Sequence, residues 1–160
     1  MDIYVTHGVG SGRTEKSAFD EALWSAGVAN YNILELSSVI PENVNIKVGK
    51  IDRNAVREHG YKLYAVLAHQ VVKEKGREAY AGIGWVQDPK TRGGLFVEHH
   101  GHSEEEVDTL IRHSLEDMTR YRPKIYGGIQ RVVAGIKCED KPVCALVCAF
   151  YKSESWIKIS

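Results

Sequence analysis

The stretch 125–151, IYGGIQRVVAGIKCEDKPVCALVCAFY, decides the fold class. Two runs rich in valine, alanine and cysteine flank the polar Glu139-Asp140-Lys141-Pro142. Small and β-branched residues bounded by a turn cluster predict a long antiparallel hairpin, 125–138 against 143–151. Immediately before it, Pro123 closes a helical pattern. Ser103-Glu104-Glu105-Glu106 opens that helix as a capping box with acidic residues at its positive end. Val107, Leu110, Ile111, Leu115 and Met118 recur at helical spacing and mark its buried face down to Tyr121. Further upstream, 95–99, Glu78–Gln87 and Lys62–Val72 read as strands, with a turn from Asp88-Pro89 to Gly93-Gly94.

The N-terminal part supplies the second helix. Ile3-Tyr4-Val5-Thr6 reads as a short strand, and Gly8-Val9-Gly10-Ser11-Gly12 as a flexible loop. Thr14 or Ser17 caps a helix whose apolar face is Ala18, Phe19, Ala22, Leu23 and Ala26, and Gly27 ends it. Residues 32–36 read as a strand. A polar connection runs from Pro41 to Gly60. Two helices among six or seven strands in hairpin-like succession predict a single α+β domain, a layered sandwich with helices covering antiparallel sheets.

Bulk properties narrow the function. The chain has 160 residues, 43% hydrophobic and 26% charged, with 21 basic and 21 acidic side chains and no net charge. Nucleic acid and anionic membrane surfaces both call for a basic surplus, which is lacking. Zero net charge favours a defined oligomer over a monomer. No apolar run approaches the roughly 20 residues that span a bilayer. Met1-Asp2-Ile3-Tyr4 is not a secretory signal. Cys138, Cys144 and Cys148 lack metal-ligand spacing and read as reduced, core-filling thiols of a cytoplasmic protein.

Several groups could carry chemistry. The Gly8/Gly10/Gly12 spacing is not that of a dinucleotide loop, and close backbone approach to another segment is the favoured reading. In Glu98-His99-His100-Gly101-His102, His99 and His100 point to opposite faces of a strand. His100 and His102 share a face but have no evident distant partner, so no metal is expected. Glu98 is either a surface carboxylate at a strand end or, if buried beside Phe96 and Val97, an acid with a raised pKa. Asp20 is either a solvated helix carboxylate or an anchor for a guanidinium. Ser37-Ser38, set between Leu36 and Val39-Ile40-Pro41, can cut its own chain. The Ser38 hydroxyl attacks the Ser37 carbonyl to give an ester. Loss of the α-proton of residue 38 then expels the Ser37 carboxylate. The dehydroalanine left behind hydrolyses to a pyruvoyl group and ammonia. Such a reaction needs a polarised carbonyl and a backbone held away from relaxed geometry. Asn32 is a candidate donor to that carbonyl, or a turn residue.

The blocks Ser17-Ala18-Phe19-Asp20-Glu21-Ala22-Leu23, Ala26-Gly27-Val28-Ala29-Asn30-Tyr31-Asn32 and Leu36-Ser37-Ser38-Val39-Ile40-Pro41, in this order and spacing, resemble the pyruvoyl-dependent arginine decarboxylases. Gly94-Leu95-Phe96-Val97-Glu98-His99-His100-Gly101 extends the resemblance over nearly the whole chain. It implies a four-layer αββα sandwich and self-cleavage into a β chain, 1–37, and an α chain, 38–160, headed by a pyruvoyl group made from Ser38. It also implies trimers of the αβ unit, or dimers of trimers, with active sites between neighbours. Glu98 then resembles the proton donor, Asp20 the carboxylate that receives the substrate guanidinium, and Asn32 the asparagine beside the cleavage site. The implied reaction takes L-arginine to agmatine and CO2 through a Schiff base to the pyruvoyl ketone. The alternatives are ornithine or lysine as substrate, or a non-processing paralogue that only binds a cationic ligand. Arg13, the charged segment 48–62 and the His99-His100 pair depart from the family pattern.

Overall fold

The computed structural model describes residues 1–51 and 57–158. In chain order the elements are β1 (Asp2–Ser11), α1 (Glu15–Ala26), β2 (Asn32–Glu35), β3 (Val39–Ile40), β4 (Asn45–Val48), β5 (Lys62–Val72), β6 (Glu78–Gln87), β7 (Gly94–Gly101), α2 (Glu104–Arg120), β8 (Gln130–Lys137) and β9 (Val143–Glu154). They form one sheet in the order β2-β5-β9-β1-β4 and a second in the order β3-β7-β6-β8. Pairing is antiparallel except for β1 with β4 and β2 with β5.

β9 explains the layering. It is the middle strand of the first sheet, and Val143 to Phe150 are all buried. Strand alternation sends successive side chains to opposite faces. Val143, Ala145, Val147 and Ala149 join the core between the two sheets. Cys144, Leu146, Cys148 and Phe150 join the core beneath α1. On the far side, α2 lays Val107, Ile111 and Leu115 against Val86, Leu95 and Val97 of the second sheet. The order of layers is therefore α1, first sheet, second sheet, α2: the expected αββα sandwich.

Both helices begin where the sequence places them. Thr14 caps α1 in a reciprocal box with Ser17, and Gly27 ends it at φ 80°. Ser103 caps α2 by accepting from the Glu106 amide. Glu106 itself accepts from the His102 amide, so the box at α2 is displaced by one residue.

Three expectations are corrected. The predicted hairpin does not exist: β8 pairs with β6 in one sheet, while β9 pairs with β5 and β1 in the other. Glu139 to Pro142 is a crossing between sheets, because β9, buried on both faces, has to sit centrally and not at the end of a ribbon. The glycine run is not a loop: Gly8 to Ser11 form the last part of β1, and only Gly12 follows the strand's end. A Cβ on Gly10 would lie 2.4 Å from the Ala22 nitrogen and one on Gly8 2.4 Å from the Ala22 carbonyl oxygen. The glycines thus let helix backbone rest on strand backbone, the close approach anticipated from composition. The connection after Pro41 contains β4, which the polar sequence concealed. Part of the charged segment 48–62, residues 52–56, lies outside the described residues.

Candidate active site

The site begins at the edge of the second sheet. Val39 and Ile40 pair with Leu95 and Gly94, and Pro41, which has no N–H to donate, stops the strand. The ladder continues one step the other way, with the Phe96 amide donating to the Ser38 carbonyl at 2.8 Å. Ser38 itself has φ 61°, in the left-handed region. That conformation costs a non-glycine residue roughly 1–2 kcal/mol. Ser38 is nevertheless 9% exposed and held, whereas Ser37 beside it is exposed.

Strand geometry then supplies the partner. Phe96 and Glu98 share one face of β7, and Phe96 belongs to the inter-sheet core. Two residues beyond the Phe96 contact, Glu98 accepts the Ser38 hydroxyl, Oγ to Oε2 at 2.7 Å. Glu98 is exposed, not buried as the proton-donor reading supposed. The cause is the brevity of β3, two residues long, which leaves that end of β7 uncovered.

A third element comes from the opposite sheet. Tyr151 of β9 donates its hydroxyl to the Val39 carbonyl at 2.8 Å. Its ring meets Phe96 edge-on, centroids 6.0 Å apart. Burial raises the Tyr151 pKa, and the Glu98 charge raises it further, so the phenol stays protonated as a donor.

Ser37, Ser38, Phe96 and Glu98 open onto a cleft of about 360 Å³ between β7 and α2, walled on the helix side by Ser114 and Met118. His99 Nε2 lies 2.7 Å from Ser114 Oγ. Burial lowers the His99 pKa, partly countered by the Glu98 charge. His102 bonds the Glu78 carbonyl through Nδ1, and no group of three potential metal ligands occurs among the described residues.

Of the five residues singled out from sequence, the fold brings Ser37, Ser38 and Glu98 together. Asn32 sits at the start of β2 and donates its side-chain amide to the Gly60 carbonyl at 2.8 Å. Asp20 is exposed on α1, in the outer layer beyond the first sheet. Neither lines the cleft. Sequence reasoning missed Tyr151, Ser114 and Met118 as site residues. For Tyr151 a signal existed: alternation along 143–151 assigns it to the same face as Val147 and Ala149.

The family described as pyruvoyl-dependent arginine decarboxylase (PvlArgDC) matches residues 2–155. The match defines the class, a pyruvoyl-dependent decarboxylase. The chain belongs to the pyruvoyl-dependent arginine decarboxylase family. A relative so named from Thermococcus kodakarensis is 32% identical over 136 residues, covering 84% of each chain. Another from Picrophilus torridus is 36% identical over 105 residues, 65% of this chain and 57% of that protein. A solved pyruvoyl-dependent histidine decarboxylase is 14% identical, with a TM-score of 0.43 over 57% of this chain and 51% of its own. No helix is long and apolar enough to cross a membrane among the described residues.

Proposed function

We propose that this chain cuts itself between Ser37 and Ser38, derives its pyruvoyl group from Ser38, and decarboxylates L-arginine to agmatine and CO2. The observation that carries this reading is the Ser38–Glu98 contact at a serine whose backbone is left-handed. The residues present suit the group. Position 38 faces the cleft, its hydroxyl already rests on the Glu98 carboxylate, and its carbonyl is fixed by the Phe96 amide.

Cleavage follows from the chain's own atoms. Glu98 holds the Ser38 hydroxyl in place as Oγ bonds to the Ser37 carbonyl carbon; the hydroxyl proton passes to the nitrogen of residue 38, and the C–N bond between 37 and 38 breaks to leave an ester and a free amine. Removal of the residue 38 α-proton expels the Ser37 carboxylate. Water then replaces the resulting imine nitrogen, releasing ammonia. Relief of the left-handed backbone at Ser38 favours the forward direction. The products stay together, because β1 and β2 of 1–37 pair with β9, β4 and β5 of 38–160.

The pyruvoyl group supplies a ketone conjugated to an amide, an electron sink for the pair released with CO2. The Phe96 amide would stabilise negative charge on the residue 38 carbonyl. Glu98, freed from the serine hydroxyl, would hold the proton returned to the substrate α-carbon. Asp20 would take the guanidinium in a two-point ion pair.

The oligomer belongs to the same reading. In one chain Glu98 is exposed and Asp20 lies in another layer, so a neighbouring copy would close the cleft and complete it, in a trimer or dimer of trimers. Three free buried thiols suit the cytoplasm. The test is CO2 release from arginine, ornithine and lysine by the purified protein, with its mass in solution measured alongside. Arginine should be preferred and the particle should be at least trimeric. Equal release from lysine would remove the guanidinium assignment, and no release from any of them would remove the activity.

A further inference from the structure

Tyr151 is the extra residue of a β-bulge. Along the β5–β9 ladder Ala65 faces Phe150 and Tyr64 faces Lys152, so Tyr151 has no partner between them. Bulges interrupt the ladder, bend the strand and recur beside active sites. Tyr151 lies on the same inter-sheet face as Val147 and Ala149, and at the point where the regular ladder breaks its phenol reaches across the gap between sheets, onto the Val39 carbonyl. The two peptide carbonyls that follow the cleavage point are thereby held from opposite layers. Phe96 of the second sheet holds that of Ser38, and Tyr151 of the first holds that of Val39. Between these anchors Ser38 keeps its left-handed backbone and its hydroxyl on Glu98.

From this geometry we infer that Tyr151 is a positioning residue for self-cleavage and for the mature site, an inter-sheet clamp that keeps residue 38 in its reactive conformation. The inference rests on the self-cleavage reading above. Tyr151 touches neither the scissile bond nor the cleft, so its action passes through the Val39 peptide. Edge packing on Phe96 fixes the ring, which leaves the hydroxyl as the separable part.

The test compares wild type, Tyr151→Phe and Tyr64→Phe. Tyr64 donates its hydroxyl to Glu154, away from the cleft, and controls for loss of a phenol. Cleavage is followed by intact mass from fresh translation onward, and turnover is normalised to pyruvoyl content. Tyr151→Phe should cleave about tenfold more slowly, the factor that one lost positioning contact of roughly 1.4 kcal/mol removes. Its mature fraction should lose kcat with KM unchanged, and Tyr64→Phe should match wild type in both. Cleavage of Tyr151→Phe at the wild-type rate overturns the inference and leaves the self-cleavage reading intact. A rise in KM with kcat unchanged also overturns it, because Tyr151 would then act on substrate. An equal loss in Tyr64→Phe would reduce the effect to general destabilisation. An uncut wild type would instead defeat the underlying reading.

Discussion

Replacing Glu98 by glutamine separates the two tasks assigned to one carboxylate. The substitution keeps length and shape, and the amide oxygen of the new side chain can still accept the Ser38 hydroxyl now 2.7 Å from Oε2. What disappears is the charge. Charge-assisted hydrogen bonds are roughly twice as strong as neutral ones, so about 1 kcal/mol of hold on the hydroxyl is lost. Self-cleavage should therefore slow by about fivefold, because the geometry that positions Oγ survives. Turnover is different, since an amide cannot return a proton to carbon. Loss of a positioned general acid removes about 10²–10⁴ in rate, or roughly 3–5 kcal/mol. The assay is CO2 release from arginine divided by pyruvoyl content, so that slow maturation is not mistaken for slow chemistry. A cleaved Glu98→Gln protein within about tenfold of wild-type turnover would refute the proton-donor role. A protein that never cleaves would show that the carboxylate's charge, and not its place, drives the first step.

Other outcomes follow from the packing. Gly10→Ala puts a methyl group 2.4 Å from the Ala22 nitrogen and 2.5 Å from the Ala18 carbonyl oxygen, both helix backbone, so α1 has to shift. It should destabilise the protein by about 1–3 kcal/mol, and a denaturation midpoint equal to wild type would contradict the backbone-on-backbone contact. Burial holds the His69 and His99 pKa values below the ordinary imidazole range. The unfolded chain then binds protons first as pH falls below about 6.5, so stability present above that pH declines towards the folded-state pKa values. Urea titrations at stepped pH should show this fall in wild type and less of it in a His69→Gln/His99→Gln double variant. Burial pushes the Cys144 and Cys148 thiols up to about 12. Neither should react with a thiol reagent at about pH 8 until the protein is unfolded, and rapid labelling of the native protein would contradict the layered core.

The relation between sequence and structure differs from part to part. β5 and β6 were legible to the residue, because each run of strand-favouring side chains is bounded by charged and turn residues, Lys73 to Gly76 after β5 and Asp88-Pro89 after β6. Both helices were legible through caps and apolar spacing. β9 was legible as a strand, but its neighbours were not: a run buried on both faces carries no mark of which strands flank it, and nearness in sequence suggested β8. Gly8 and Gly10 signalled closeness without revealing that the close partner was a helix lying on a strand. Ser38 and Glu98 lie 60 positions apart, and only the β3–β7 register brings their side chains together. The Tyr151 bulge was illegible, since an unpaired residue is defined by two strands at once. Asp20 and Asn32 were assigned by resemblance, and within one chain neither reaches the cleft. Assembly of several chains is the arrangement that would give Asp20 its role.

Everything proposed for this chain depends on Ser38 cutting the backbone and becoming the cofactor. Intact-mass measurement of purified protein, alongside a Ser38→Ala variant, decides whether it does. Wild type should give two fragments, 1–37 with a free carboxylate and 38–160 with a pyruvoyl group at its head. The variant should give one uncut and inactive chain. A single wild-type species at the full 17.9 kDa, or cleavage at any other bond, would contradict the role given to Ser38.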